Sequence, residues 1–218
     1  MSQSSAPAPK APATPRRGLL ISAVLAVIVI AGIAADTTVV RIGSKEDVRQ
    51  QVFEPDAFGA KEFPIVQQFV ESKAVDAQTL GPAVLADKTA AAKKYGTPAT
   101  VGAVVPVKVS GIAGEGKMGV YTLKVDGLPP EITVRVQTGP AINGTDLRDA
   151  TGQVTFSQFK NQIEYQNAGS GINRAMKKAV LSGIDNTNLT GKTLEVTGAF
   201  TLINPKNWLI TPVKVVVK

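Results

Sequence analysis

The chain is 218 residues long, 44% hydrophobic and formally +7 at neutral pH, with neither cysteine nor histidine. Those absences exclude disulfides, thiolate metal sites, cysteine nucleophiles and imidazole acid–base chemistry, so no metal, cofactor or catalytic residue is expected. The charge is uneven: Lys10, Arg16 and Arg17 give +3 before the first acid, Asp36, leaving 21 basic against 17 acidic residues, or +4, for the remainder. That balance is too mild to indicate a nucleic-acid partner.

Residues 1–17 are Pro, Ala and Ser with almost nothing apolar to bury, and read as a disordered cytoplasmic tail. Residues 18–35, GLLISAVLAVIVIAGIAA, carry no charge. As a helix they reach roughly 27 Å, the thickness of a hydrocarbon core, and the expected partner is membrane lipid. A signal peptide cut after Ile33-Ala34-Ala35 is the alternative. The apolar run exceeds the ~7–15 residues of a signal peptide and follows a Pro-rich tail, which favours an uncleaved transmembrane anchor. Arg16 and Arg17 before it, and Asp36 after it, put the N-terminus inside. The expectation is a single-pass protein of the inner (cytoplasmic) membrane, with its bulk periplasmic or extracellular.

Residues 36–98 are expected as a helical segment. A short extended piece at 37–41 and a brief helix at 45–52 precede a helix over 62–74, where Ile65, Val66, Phe69 and Val70 recur at helical spacing and Pro64 sits in the first turn. A second helix over 76–95 carries Leu80, Val84 and Leu85 and stops at Gly96 and Pro98. Together they read as a helical hairpin lying on something larger.

From residue 101 the period changes to two. Val101, Ala103, Val105, Val107 and Val109 alternate, then Tyr121, Leu123 and Val125, then Ile132, Val134 and Val136. The Gly-rich 111–119 lacks the Gly-Lys-Ser/Thr ending of a phosphate loop and no helix follows it, so it reads as a flexible hairpin. A helix over 157–181, kinked or broken at Gly169-Ser170-Gly171, precedes strands at 193–202 and 208–217. Three strands, one helix and two strands is the element order of the OB-fold. The predicted fold class is α+β: an N-terminal transmembrane helix, a helical hairpin, and over 99–218 a five-stranded OB-like β-barrel or a mixed sheet with one main helix. An OB-like barrel invites a nucleic-acid reading. Tyr121, Phe200 and Trp208 are the only candidate stacking aromatics on its strands, and that partner is rejected.

Residues 137–165 join the last strand of the first group to the helix through a dense run of polar, turn-forming residues. Gln137-x-Gly139-Pro140, Gly144-Thr145-x-Leu147-Arg148-Asp149-Ala150 and Phe156-x-x-Phe159-x-Asn161-Gln162 stand there. Together with Tyr95-Gly96, Asn173, Gly198-Ala199-Phe200 and Pro212-Val213, these make the chain from about residue 58 to 217 resemble a bacterial family of predicted periplasmic lipoproteins, domain of unknown function 2291. The resemblance implies an exported, membrane-tethered protein, with a sugar transport system as partner, and puts enzyme chemistry on no residue. One departure is plain: lipoprotein relatives carry an acylated Cys after the apolar stretch, where this chain has Ala34, Ala35 and Asp36.

Candidate ligand-binding residues are Thr145, Asp146, Arg148 and Asp149, with Asn161, Gln162 and Asn173. Arg148 would fork onto a carboxylate or vicinal hydroxyls, with the two acids accepting hydroxyl protons. The alternative is that Arg148 is held by an Asp beside an Asx-type turn. The three amides would bond ligand hydroxyls, or else cap neighbouring backbone. Arg174, Lys177 and Lys178 read as a solvated basic face. The expected function is a non-enzymatic accessory or ligand-binding module linked to sugar uptake; the alternative is a structural or assembly protein holding partners at the membrane. The sequence does not set an oligomeric state.

Overall fold

The computed structural model describes residues 16–37 and 53–218, which fall in two compact units, 1–52 and 53–218. Residues 1–15 of the expected tail, most of the extended piece at 37–41 and the brief helix at 45–52 lie outside the described residues. In the first unit, helix α1 (Arg16–Asp36) covers the apolar stretch. Among the described residues no helix is long and apolar enough to cross a membrane. The expected transmembrane anchor is therefore corrected.

The second unit opens with α2 (Pro55–Lys73). It begins about two turns before the expected 62–74 because Pro55 supplies a pre-set first position and Asp56 a favourable first-turn charge. Pro64 consequently lies inside the helix rather than in its first turn. A two-residue strand β1 (Val75–Asp76) leads into α3 (Ala77–Ala86) and α4 (Lys88–Tyr95). The single helix expected over 76–95 is divided at Asp87. Its extended backbone ends α3, and its carboxylate accepts from the N–H groups of Thr89 and Ala90 at 2.8 and 2.9 Å, starting α4. The hairpin also gives way. Helix α2 buries Phe63, Val66 and Val70 in one apolar cluster, while α3 and α4 bury Leu80, Val84 and Ala91 in another.

After β2 (Thr97–Pro98) come β3 (Ala103–Lys117), β4 (Val120–Lys124) and β5 (Thr133–Gln137), and later β6 (Thr193–Thr201) and β7 (Asn207–Val217). Their order is β3-β4-β5-β7-β6, and β6 returns to pair with β3 from Val104↔Thr201 to Ile112↔Thr193. The β5–β7 pairing is parallel and the other pairings around the ring are antiparallel. The result is a closed five-stranded barrel rather than an open mixed sheet. Its interior is Val105, Val107, Val109, Val134, Val136, Val196 and Ile210, with Phe200 stacked on Trp208 at 4.9 Å between ring centroids. Because side chains alternate along a strand, the neighbouring Val104, Ala199 and Val213 face outward, into the cluster shared with the helices.

The glycine-rich 111–119 is mostly strand. β3 runs on to Lys117 through a bulge between Ala113 and Gly116, and only Met118-Gly119, both at positive φ, forms the turn. A Cβ on Gly116 would lie 2.4 Å from the Tyr121 ring, so glycine there makes room for a cross-strand aromatic.

Between β5 and β6 lie α5 (Asp146–Asp149), a 3-10 turn (Phe156–Gln158) and α6 (Gln162–Met176), which continues as a π turn (Lys177–Leu181). The expected kink at 169–171 is absent. Gly171 instead sets the α2–α6 crossing: its Cβ would stand 1.9 Å from the carbonyl oxygen of Pro55, and one on Gly59 would stand 2.1 Å from the carbonyl oxygen of Gly171. The glycines permit backbone-to-backbone packing, not bending. Gly171→Ala is expected to cost about 1–3 kcal/mol through overpacking. Gly183→Ala, with nothing within 4 Å, is expected to stay within about 0.5 kcal/mol. Denaturant midpoints of the two variants compare them directly.

Candidate functional site

The site begins where β5 ends. Gln137 is buried, and its carboxamide holds the following loop at Asn143. Its Nε2 donates to the carbonyl of Asn143 (3.0 Å) and to Thr211 Oγ1 (2.9 Å), and its Oε1 accepts from the N–H of Asn143 (2.9 Å). Asn173, buried on α6, donates to the carbonyl of Gly144 at 2.9 Å, and Lys177 Nζ to that of Pro140 at 2.6 Å. The loop is thus fixed to β7 and α6 before it enters α5.

Within α5 the two carboxylates have different surroundings. Arg148 is 5% exposed and forks onto Asp149, Nε to Oδ1 at 2.7 Å and Nη2 to Oδ2 at 3.0 Å. Its Nη1 donates to the carbonyl of Tyr165 at 3.2 Å, and Cζ lies 3.6 Å from the centre of the Tyr165 ring. Asp149 also accepts from Thr145 Oγ1 at 2.8 Å. Burial raises the Tyr165 phenol above its usual range; the nearby Arg148 charge opposes this and Asp149 adds to it.

Asp146 makes no such pair. It stands over the outer face of β6 and β7, accepting from Thr201 Oγ1 at 2.5 Å and Thr211 Oγ1 at 3.0 Å. Burial pushes its carboxyl above the ordinary 3.8; the two threonine hydroxyls pull the other way and the Asp149 charge adds to the rise.

A cleft of about 670 Å³ opens between this turn, the start of α6 and the β6–β7 connection. Thr145, Asp146, Arg148, Asp149 and Gln162 of the expected residues line it, and Tyr165, Gln166 and Thr201 join them. Two expected residues serve elsewhere. Asn161 caps α6, accepting from the N–H of Glu164 at 2.9 Å, and Asn173 braces the Gly144 carbonyl. Of the two readings of Arg148, a fork onto a ligand or a hold by an Asp, the second is what stands here: Asp149 takes it. Sequence reading missed Tyr165, Thr201, Thr211 and Gln137 as site builders. Only the strand register carries a signal for the threonines, each two residues from an outward-facing Ala199 or Val213.

Two outcomes follow from these contacts. Arg148→Ala or Asp149→Ala leaves a buried partner uncompensated and is expected to cost about 3–5 kcal/mol, against under about 0.5 for exposed Lys178→Ala, read by chemical denaturation. Lys177 is unsuited as that control because it holds Pro140. For Asp146 the sign is that of a raised folded value: its contribution is full below 3.8, where both states are protonated. It is lost as pH rises from there through the higher folded value. Unfolding free energy followed over that window should fall more steeply in the wild type than in Asp146→Asn.

No curated protein matches the chain. An OB-fold protein from Thermotoga maritima, known from its crystal structure, superposes with a TM-score of 0.60 at 17% identity, covering 77% of this chain and 100% of its own. That likeness supports the barrel alone. A family model described as "predicted periplasmic lipoprotein (DUF2291)" matches residues 23–216. A lipoprotein is held at the membrane by acyl chains instead of a peptide span, which overturns the expected localisation as a single-pass inner-membrane protein. This chain itself has no cysteine. With 194 of 218 residues inside the match, the chain belongs to the DUF2291 family of predicted periplasmic lipoproteins.

Proposed function

We propose that this periplasmic-family protein is a non-enzymatic binding module for a small polar solute, an accessory to sugar uptake, and that the α5–α6 cleft is its site. The observation that carries the reading is the lining. Asn143, Gln162, Gln166, Asn204, Asn207, Thr145 and Thr201 line the cleft together with the apolar Val101, Ile203 and Leu209. The side-chain oxygens of Asn204 and Asn207 already accept from the Lys206 N–H and from Arg135. Amides both donate and accept, which suits neighbouring hydroxyls on one ligand, and the apolar wall suits the C–H face of a ring. Arg148 and Asp149, locked on each other, shape the cleft and leave the polar contacts to the amides. The absence of His and Cys from the whole chain supports a binding role over catalysis.

A second reading, an assembly protein holding partners at the membrane, draws on the apolar side chains at the start of α6, where Phe156 is 50% and Ile163 72% exposed. The two differ in outcome. Thermal-shift measurements on the full chain against neutral sugars and polyols are expected to show a shift that is lost in Gln162→Ala/Gln166→Ala. No shift with any of them, together with a membrane complex retained through Phe156 and Ile163, would favour assembly.

A further inference from the structure

We propose that the cleft selects a hydroxylated solute carrying an ammonium group, with Asp146 as its charge partner. This rests on the binding-module reading and narrows it to one ligand chemistry.

Three charged side chains line the cleft, Asp146, Arg148 and Asp149, so its lining carries −1 in a chain of +7. The Arg148–Asp149 pair is internally neutralised by its two-point fork, which leaves the Asp146 charge as the net charge of the cleft. Anionic solutes such as sugar phosphates are thereby disfavoured.

Asp146 is also the under-satisfied acceptor. A carboxylate offers about four acceptor positions. Asp149 receives two donors from Arg148, one from Thr145 and a long one from the Tyr165 hydroxyl at 3.5 Å. Asp146 receives the Thr201 and Thr211 hydroxyls and a backbone hydrogen bond at Thr201, one donor fewer than Asp149, and, among the described residues, no cation. Around it, β6 and β7 present Thr201 and Thr211, α5 presents the closed Arg148–Asp149 pair, and the titratable group of α6 at the cleft, Tyr165, faces that pair. A half-buried carboxylate lining an open cleft without a counter-ion gains from a cationic donor what neither threonine supplies. The desolvation that lifts its proton affinity is the same quantity an ammonium ligand would relieve.

The test uses the full chain and three probes matched in shape: glucosamine, glucose and glucose 6-phosphate, titrated by calorimetry at about pH 6, where the amine is charged. Glucosamine is expected to bind about tenfold or more tighter than glucose, the gain of a charge-assisted hydrogen bond, with glucose 6-phosphate weakest. Asp146→Asn should bring glucosamine and glucose to the same affinity. The wild type supplies a second measurement that needs no variant: lowering the pH through the raised folded value of Asp146 should weaken glucosamine and leave glucose unchanged, because Asp146 takes up a proton. Equal binding of glucose and glucosamine by the wild type, or preference for the phosphate, overturns the charge selectivity while the binding-module reading stands. Failure of all three probes and of the neutral-solute screen overturns both.

Discussion

A guanidinium cannot be taken out of water without its counter-charge, and the burial of Arg148 sets the terms for everything around it. Its fork demands a carboxylate on the next residue, which the single turn of α5 supplies in Asp149. Its flat face demands a surface to lie on, which α6 supplies in Tyr165. To bring these together the loop from β5 must arrive at a fixed height, and the Gln137 carboxamide and Asn173 hold it there by its backbone. The same turn that closes the Arg148 pair carries Asp146 to the opposite side, over Thr201 and Thr211. One ion pair thus fixes the placement of a second, unpaired acid.

The alternation of Val, Ile and Tyr from residue 101 onward was enough to read the barrel strands, because a pleated strand with one buried face leaves a period of two in the sequence. Glycine was less readable. At Gly116, Gly59 and Gly171 its role is to admit a neighbouring ring or backbone, yet a sequence presents these like the glycines of turns and kinks, since all that is visible is the missing Cβ. Asp87 shows a third limit: inside an Ala-rich helical run, a cap and a solvent-facing acid are spelled the same way.

The site was half legible. Thr145, Asp146, Arg148, Asp149 and Gln162 stand together because they are close in sequence and the chain turns tightly there. What the sequence withheld were partners separated by long intervals, with Asp146 meeting Thr201 and Thr211 across 55 and 65 residues. Polar residues in a strand do not announce which of them faces a ligand. The amides divided similarly. Asn161 and Asn173 satisfy orphaned backbone groups, the commoner use of a buried or capping amide, while Gln162 lines the cleft.

The closure of the barrel has a consequence for how the chain is made. β3 waits for β6, whose paired residues lie roughly ninety positions further on, from Ile112↔Thr193 to Val104↔Thr201. Contacts of such separation form late, because loop-closure entropy must be met before they contribute. Until Thr193 and its successors arrive, the Val-rich edge of β3 has its peptide groups unpaired along the nine residues that β6 will cover. An edge of that length and composition is a template for another chain. A chain that emerges from its N-terminus therefore passes through a stage in which its longest strand is its greatest aggregation hazard, and only the arrival of its C-terminal hairpin removes it.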